Sequence, residues 1–234
     1  MTSTNRFTDI IPANSLFGQL RANAPDVWNR YVDHEFVRKL GDGTLPEDCF
    51  RHYLIQDYLF LIQFARAYAL AVYKAGDLTA MRHYSQTVSA ILDLEMSLHL
   101  DFCNRWGLGE KDIVSQPEAR ATIGYTRYVL EKGHQGDIID LHVAVMPCMV
   151  GYAEIANRLM ARSDTRLEGN PYRAWIEMYA SDDFQNVAKA EITLLDMLAT
   201  QRGAAGRMDD LIRTFSMASR LEADFWQMGL DLAK

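Results

Sequence analysis

Apolar residues recur every three or four positions through most of the chain, the spacing that places them on one face of an α-helix. No stretch shows a convincing strict alternation of apolar and polar residues, so the pattern predicts no β-strand. Glycine, proline and capping residues divide the pattern into segments. We predict helices over residues 14–21, 26–40, 46–75, 77–106, 117–132, 137–162, 171–180, 182–201 and 208–230.

The connections between these helices are short, and no repeat, low-complexity tract or linker separates them. With 234 residues, the chain is near the upper size that one hydrophobic core supports. We therefore expect an all-α fold, a multi-helix bundle that forms a single domain over residues 1–234. Residues 1–12 are expected to be a poorly structured N-terminal extension.

Charge and cysteine content narrow the class of protein. The net charge is −7, and the sequence contains no basic stripe, so we expect no nucleic-acid partner. The three cysteines are widely spaced and form no CxxC pair, which indicates neither a disulfide framework nor a zinc knuckle.

The sequence also lacks the patterns of exported and membrane proteins. Its N-terminus shows no signal-peptide pattern. No uninterrupted apolar run approaches the ~20 residues that a membrane span needs, and the longest candidate, residues 59–72, is broken by Gln63 and Arg66. The sequence therefore predicts a reduced, cytoplasmic protein with no membrane partner.

The helix predicted over residues 46–75 contains a carboxylate on an otherwise apolar face. Asp57, Phe60 and Phe64 fall at i, i+3 and i+7 and therefore share one side of the helix. A carboxylate among aromatic rings is costly unless something hydrogen-bonds to it. Either a neighbouring Tyr or Arg satisfies Asp57, or Asp57 binds a ligand that carries N–H donors, and the spacing leaves both open.

A proline precedes a cysteine in the middle of the helix predicted over residues 137–162. Pro147 removes a backbone hydrogen bond and bends the helix, while Cys148 and Tyr152 share a face with Gly151, which leaves room for a close neighbour. No Lys, Arg or His lies within four residues of Cys148. Cys148 is therefore either a small buried hydrophobic residue or a nucleophile whose proton goes to a base from elsewhere.

The last predicted helix offers such a base. Glu222 lies on one face with Phe225 and Trp226, at i, i+3 and i+4, whereas Asp224 points away and is expected to be exposed. An apolar environment favours the neutral form of a carboxyl group, which suits a group that takes and returns a proton. The alternative is a structural Glu222 paired with an arginine.

Two acid–histidine pairs raise the question of a metal site. Glu95 and His99 are four residues apart, and Glu131 and His134 are three apart beside Gly133, at the predicted end of a helix. Di-iron bundles use the shorter spacing twice, together with further glutamates. We therefore expect no metal, and we interpret Glu95 and His99 as an intra-helix hydrogen bond.

Taken together, these segments resemble the TenA family, also called thiaminase II or aminopyrimidine aminohydrolase. The resemblance extends from about Phe17 to Met228, and Glu95-x-x-x-His99 also looks like the family pattern. Its most specific motifs are Tyr53-Leu54-Ile55-Gln56-Asp57-Tyr58, Tyr125-Thr126-x-Tyr128, Pro147-Cys148 and Glu222-x-x-Phe225-Trp226.

The resemblance implies a haem-oxygenase-like fold without haem or another cofactor, commonly a homotetramer. It also implies hydrolysis of an aminopyrimidine or thiamin. By the family's roles, Cys148 would be the nucleophile and Glu222 the carboxylate that transfers protons. The substrate-binding residues would be Asp57 for the ring nitrogen and amino group, Phe60 for stacking, and the tyrosines Tyr125, Tyr152 and Tyr179.

One segment departs from the family pattern. Many members carry an aromatic residue shortly after the cysteine, where this chain has Met149-Val150-Gly151. Two other functions stay open at this point. One is a metal-dependent oxygenase on the same scaffold, using Glu95 and His99, and the other is a non-catalytic pyrimidine-binding regulatory protein.

Overall fold

The computed structural model describes residues 11–234, and every regular element in that range is helical. The expected extension over residues 1–12 lies mostly outside the described residues. The α-helices are α1 (Leu16–Ala22), α2 (Pro25–Val32), α3 (Glu35–Asp42), α4 (Glu47–Lys74), α5 (Leu78–Ser89), α6 (Met96–Asn104), α7 (Glu110–Val114), α8 (Arg120–Gln135), α9 (Ile138–Ala161), α10 (Arg173–Ala180), α11 (Asp182–Gln201) and α12 (Met208–Asp231). A π-helical turn, Ala90–Glu95, connects α5 to α6, and a 3₁₀ turn, Ala204–Arg207, precedes α12.

Side-chain caps fix several of the helix starts that the sequence predicts. Ser15 accepts a hydrogen bond from the Gly18 amide at 3.0 Å and begins α1. Asp77 caps α5 in the same way, and Ser181 caps α11. Each cap satisfies an amide that the first helical turn leaves without a partner.

The chain divides into two compact units. Unit 1 comprises the described residues up to Leu45 together with His142–Ala223, and unit 2 comprises Pro46–Leu141 together with Asp224–Lys234. The expectation of one domain over residues 1–234 stays a prediction.

Each unit has its own aromatic core. In unit 1, the ring of Trp28 stacks on Phe215 at 5.3 Å and meets the edge of Phe17 at 5.5 Å. In unit 2, Tyr53 packs against Trp226 at 5.0 Å. Buried aromatic pairs of this kind contribute both apolar area and ring–ring attraction.

The helix predicted over residues 26–40 is wrong in one respect, since it consists of two helices. At Asp33 the backbone leaves the helical region, with φ −121° and ψ 35°. The His34 ring then accepts a hydrogen bond from the Phe36 amide at 3.2 Å and caps α3. Apolar residues continue with helical spacing across this break, so the pattern does not reveal it.

The predicted end of a helix at Gly133 is also wrong, because α8 continues to Gln135. A Cβ atom at Gly133 would lie 2.7 Å from Leu70 and 2.9 Å from Leu141. The glycine therefore permits close packing of helices and does not terminate one. The short helix α7 was likewise missed.

Among the described helices, α9 is long and apolar enough to cross a membrane by length and composition. This helix is not the candidate that the sequence pattern indicates, residues 59–72. The most apolar 18-residue window of α9 has a mean hydropathy of 1.5, and 83% of that window is buried inside the protein. Burial in the protein core accounts for such a composition.

Candidate functional site

Cys148 lies in α9 of unit 1, one residue after the proline. The residue is half-buried, whereas Val150 is fully buried. The hydroxyl of Tyr31 donates to the Pro147 carbonyl at 3.1 Å. A Cβ atom at Gly151 would lie 2.3 Å from the Tyr31 ring, which confirms that this glycine leaves room for a close neighbour.

Glu222 lies in the part of α12 that belongs to unit 1 and is 1% exposed. Asp224, two residues further on, is exposed, as predicted. Phe225 and Trp226 on the same helix are buried, which confirms the predicted apolar face. A carboxyl group so placed has lost most of its hydration.

Two of the predicted tyrosines contact each other in unit 1. The rings of Tyr152 and Tyr179 are 5.0 Å apart, and both pack on Trp175, at 5.8 Å and 4.6 Å respectively. The backbone carbonyl of Tyr179 accepts a hydrogen bond from Gln185 at 2.8 Å. Tyr152 and Tyr179 are therefore brought together, and Tyr152 is four residues from Cys148 on α9.

Glu154, also on α9, belongs to a separate ion network in unit 1. Its carboxylate accepts hydrogen bonds from Arg21 at 2.9 Å, from Arg158 at 2.8 Å and from the Trp28 indole at 3.0 Å. The carboxylate is thus committed to structural partners.

Asp57 lies in α4 of unit 2, is 6% exposed, and is hydrogen-bonded on one oxygen. The Tyr53 hydroxyl donates to Oδ2 at 3.0 Å, and Nε2 of His99 lies 2.7 Å from the same oxygen. The expectation of a neighbouring tyrosine is confirmed. The contact with His99 was not predicted.

His99 makes the predicted intra-helix hydrogen bond with the backbone of Glu95. Its Nδ1 lies 2.9 Å from the Glu95 carbonyl oxygen. Burial alone would lower the pKa of His99, but the hydrogen bond and charge of Asp57 and the charge of Glu95 raise it to about 9. Burial of its carboxyl group raises the pKa of Glu95 to about 7.

Phe60 lies on the face of α4 that carries Asp57, and Tyr125 packs against Phe60. Their rings lie 5.0 Å apart, and Phe60 also packs on Phe225 at 5.8 Å. Tyr53, which holds Asp57, packs on Trp226. Unit 2 therefore brings together Asp57, Phe60 and Tyr125, whereas Cys148, Glu222, Tyr152 and Tyr179 belong to unit 1.

Two further features of the described residues concern the arrangement of a metal site and a surface groove of unit 1. In residues 11–234, no group of three or more His, Cys, Asp or Glu side chains has the arrangement of a metal site. A surface groove of about 480 Å³ in unit 1 is lined by Arg21, Trp28 and Asn29 among others, and by none of the seven predicted site residues.

The fold places the chain in a known class of helical proteins. A domain with a heme oxygenase-like fold from Shewanella denitrificans superimposes with a TM-score of 0.71 at 15% identity, covering 92% of each chain. This likeness confirms the expected all-α, haem-oxygenase-like fold.

The sequence comparison then identifies the family. Residues 21–232 match the model of the TENA/THI-4/PQQC family, and the chain belongs to that family. The aminopyrimidine aminohydrolase of Halalkalibacterium halodurans is 35% identical over 216 residues, 92% of this chain and 95% of the relative. The solved structure of a TenA family transcription regulator from Silicibacter sp. TM1040 has a TM-score of 0.86 and 42% identity, covering 94% of this chain and 98% of that chain.

Proposed function

We propose that this chain is an aminopyrimidine aminohydrolase of thiamin salvage. It would replace the amine on the methylene of 4-amino-5-aminomethyl-2-methylpyrimidine by water, or release the same hydroxymethylpyrimidine from thiamin. The observation that carries the proposal is the Asp57 carboxylate set among aromatic rings in a chain similar to the Halalkalibacterium enzyme. A carboxylate in that setting suits a flat ring that carries N–H donors.

One group of the predicted site residues would recognise the pyrimidine. Asp57 would bind the ring nitrogen and the amino group, and Phe60 would stack near the ring. Tyr125 packs on Phe60 and would help to orient the substrate. These assignments come from the family resemblance, and the aromatic packing around Asp57 supports them.

The remaining predicted site residues would carry out the chemistry. Cys148 would be the nucleophile, because a half-buried thiol can reach a ligand, whereas Cys49 and Cys103 are buried. Glu222 would transfer protons, since its burial favours a carboxyl group that both takes and returns a proton. Tyr152 and Tyr179 would line the substrate site.

The proposed reaction has two halves. Glu222 takes the thiol proton of Cys148, the sulfur adds to the electron-poor ring, and electrons move toward the methylene and expel the amine, which Glu222 protonates. Water then adds to the methylene and gives a proton to Glu222. The sulfur leaves the ring and recovers that proton. A covalent route divides one difficult displacement into easier steps.

The residues after Cys148 bear on which pyrimidine is accepted. Tyr31 fills the space beside Gly151, and Met149 is half-buried next to the cysteine. An aromatic side chain at these positions in other members would give a different surface. We therefore propose the aminomethylpyrimidine and thiamin as the two substrates to compare.

We further propose that the protein is cytoplasmic and assembles as a homotetramer. Unit 2 exposes several large apolar side chains by more than a third, and exposed apolar patches mark association surfaces. These side chains lie in the last turn of α4, in α5, in the π-helical turn and in α6, and they are Tyr73, Leu78, Leu92, Leu94 and Leu98.

The test is release of ammonia and hydroxymethylpyrimidine from the aminomethylpyrimidine, with thiamin in parallel. The wild type should turn over at least one compound, and Glu222→Gln should lower kcat by about 10²-fold or more. Asp224→Asn, an exposed carboxylate on the same helix, is the matched control and should leave kcat unchanged. Folded wild-type protein that turns over neither compound would contradict the proposal.

Two other outcomes would favour the alternatives. A stoichiometric metal in purified active protein would favour a metal-dependent oxygenase. Tight pyrimidine binding without turnover would favour a non-catalytic regulatory protein.

A further inference from the structure

His99 contacts the proposed ring-binding carboxylate directly, within unit 2. Its Nε2 lies 2.7 Å from Oδ2 of Asp57, and its side chain is 3% exposed. Tyr53, one helical turn before Asp57 on α4, donates to the same oxygen. In the part of the chain that the structure describes, Oδ2 receives these two bonds and no protein donor contacts Oδ1.

The hydrogen bonds of the His99 ring fix where its protons lie. Nδ1 faces the backbone carbonyl of Glu95, which can only accept, so Nδ1 must carry a proton. The contact between Nε2 and Asp57 then holds one proton, either as imidazolium and carboxylate or as imidazole and carboxylic acid. The charge of Glu95 favours the imidazolium, and the pKa of His99 is raised to about 9.

The π-helical turn sets the direction of His99. The Met96 amide bonds to the Ile91 carbonyl, five residues back, so this turn contains one residue more than an α-helical turn. Without this extra residue, the residues that follow would be rotated by about 100° around the helix axis from their present positions. The turn immediately precedes α6 and so aims His99 at α4. Such turns often occur at functional sites.

Building on the proposed function, we propose that His99 is a positioning residue that holds Oδ2 of the Asp57 carboxylate and leaves Oδ1 free to accept hydrogen bonds from the substrate. A carboxylate accepts and does not donate. It therefore selects a ring that offers two donors, namely the amino group and a protonated ring nitrogen. The protonated ring is also the better electrophile for a sulfur nucleophile.

Other titratable groups also face this pair. Tyr53 belongs to α4, Glu95 to the π-helical turn and Cys103 to α6, and burial together with the Asp57 charge raises the pKa of the Cys103 thiol to about 11. Of these, Glu95 titrates nearest to neutral pH. Substitution of His99 must therefore be compared with Glu95→Gln, which removes that titration and keeps the imidazole.

The experiment uses two variants and a control on the folded full chain. His99→Leu removes both the hydrogen bond and the charge, whereas His99→Gln retains an N–H donor without the charge. His52→Gln is the matched control, because His52 also lies on α4 and its ring bonds the carbonyl of Ala233, an exposed residue, at 2.8 Å. Circular dichroism confirms folding, and His99→Gln keeps the test available if His99→Leu does not fold.

The readouts are the pH profile of kcat/KM and the affinity for hydroxymethylpyrimidine by calorimetry. We expect His99→Leu to lower both kcat/KM and affinity by about 10- to 100-fold, with a smaller loss in His99→Gln. The acid limb of the profile should move to higher pH in His99→Leu, because this variant removes the imidazolium that faces the substrate-binding carboxylate. Glu95→Gln keeps the imidazole and its bond to Asp57, so it should move that acid limb less than His99→Leu does.

An unmoved acid limb together with affinity within twofold of the wild type would overturn the role of His99. The binding measurement distinguishes failure of the His99 role from failure of the proposed reaction. If the wild type binds hydroxymethylpyrimidine without turnover, the reaction is wrong while the affinities of the His99 variants still decide the positioning role. If the wild type does not bind it, both proposals fall.

Discussion

The buried carboxylate of Glu154 is expected to be one of the strongest electrostatic contributors to the stability of unit 1. Its side chain is 2% exposed, and those of Arg21 and Arg158 are about one-third exposed. Trp28 adds a neutral indole donor to the second carboxylate oxygen. Three donors from α1, α2 and α9 therefore converge on one buried charge.

The substitution Glu154→Gln tests this with little change in volume. The amide oxygen can still accept from Trp28, but the amide nitrogen now faces two guanidinium groups and can only donate. A hydrogen bond to a charged group contributes about 1.5–3 kcal/mol, and breaking a buried pair costs about 3–5 kcal/mol. The partial exposure of both arginines reduces these values. We expect the free energy of unfolding to fall by about 2–4 kcal/mol.

Urea denaturation followed by circular dichroism measures this loss, and a thermal melt should show Tm lower by about 5–15 °C. The matched control is Glu177→Gln, which breaks the exposed pair with Arg173 at 2.8 Å. That change should cost less than about 0.5 kcal/mol. Equal losses in the two variants would refute the argument that burial makes the Glu154 network strong.

Two further predictions concern stability. Both Glu95 and His99 have pKa values raised on folding, to about 7 and about 9, so the folded state binds more protons than the unfolded state. Their stabilisation is present below about pH 4.5 and about pH 6.5 respectively, and it is lost as pH rises through about 7 and about 9. Urea titrations at about pH 6 and about pH 9.5 should show lower stability at the higher pH, with a smaller difference in His99→Gln; no pH dependence would contradict this. Separately, Gly151→Ala should lower the free energy of unfolding by about 1–3 kcal/mol, because the new Cβ would clash with Tyr31. The control Gly206→Ala places its Cβ in open space and should cost less. Denaturant melts in which Gly206→Ala is the more destabilised variant would contradict the clash.

The sequence predicts most helices because local signals define them. Ser15, Asp77 and Ser181 mark helix starts through bonds to amides three residues ahead, and such bonds require no tertiary contact. The break at Asp33 carries no such signal, since the apolar pattern continues on both sides. The π-helical turn is also invisible, because no residue type specifies a bond five residues back.

The same distinction applies to the candidate site. Asp57 was identified because it interrupts an apolar helix face, a feature of the local sequence. Its contact with His99 joins residues 42 positions apart and depends on the π-helical turn, so helix periodicity could not reveal it. Glu95 and His99 were correctly paired through an intra-helix hydrogen bond, but the second nitrogen of the ring was overlooked.

Cys148 is the proposed nucleophile of a pyrimidine hydrolase. The most direct measurement compares turnover of the aminomethylpyrimidine by wild type, Cys148→Ala and Cys49→Ala. Cys49 is buried and bonds the Leu230 carbonyl at 3.3 Å, so its loss controls for removal of a thiol elsewhere in the chain. We predict that Cys49→Ala retains wild-type kcat and that Cys148→Ala loses turnover while remaining folded. Turnover by folded Cys148→Ala at the wild-type rate would contradict the claim.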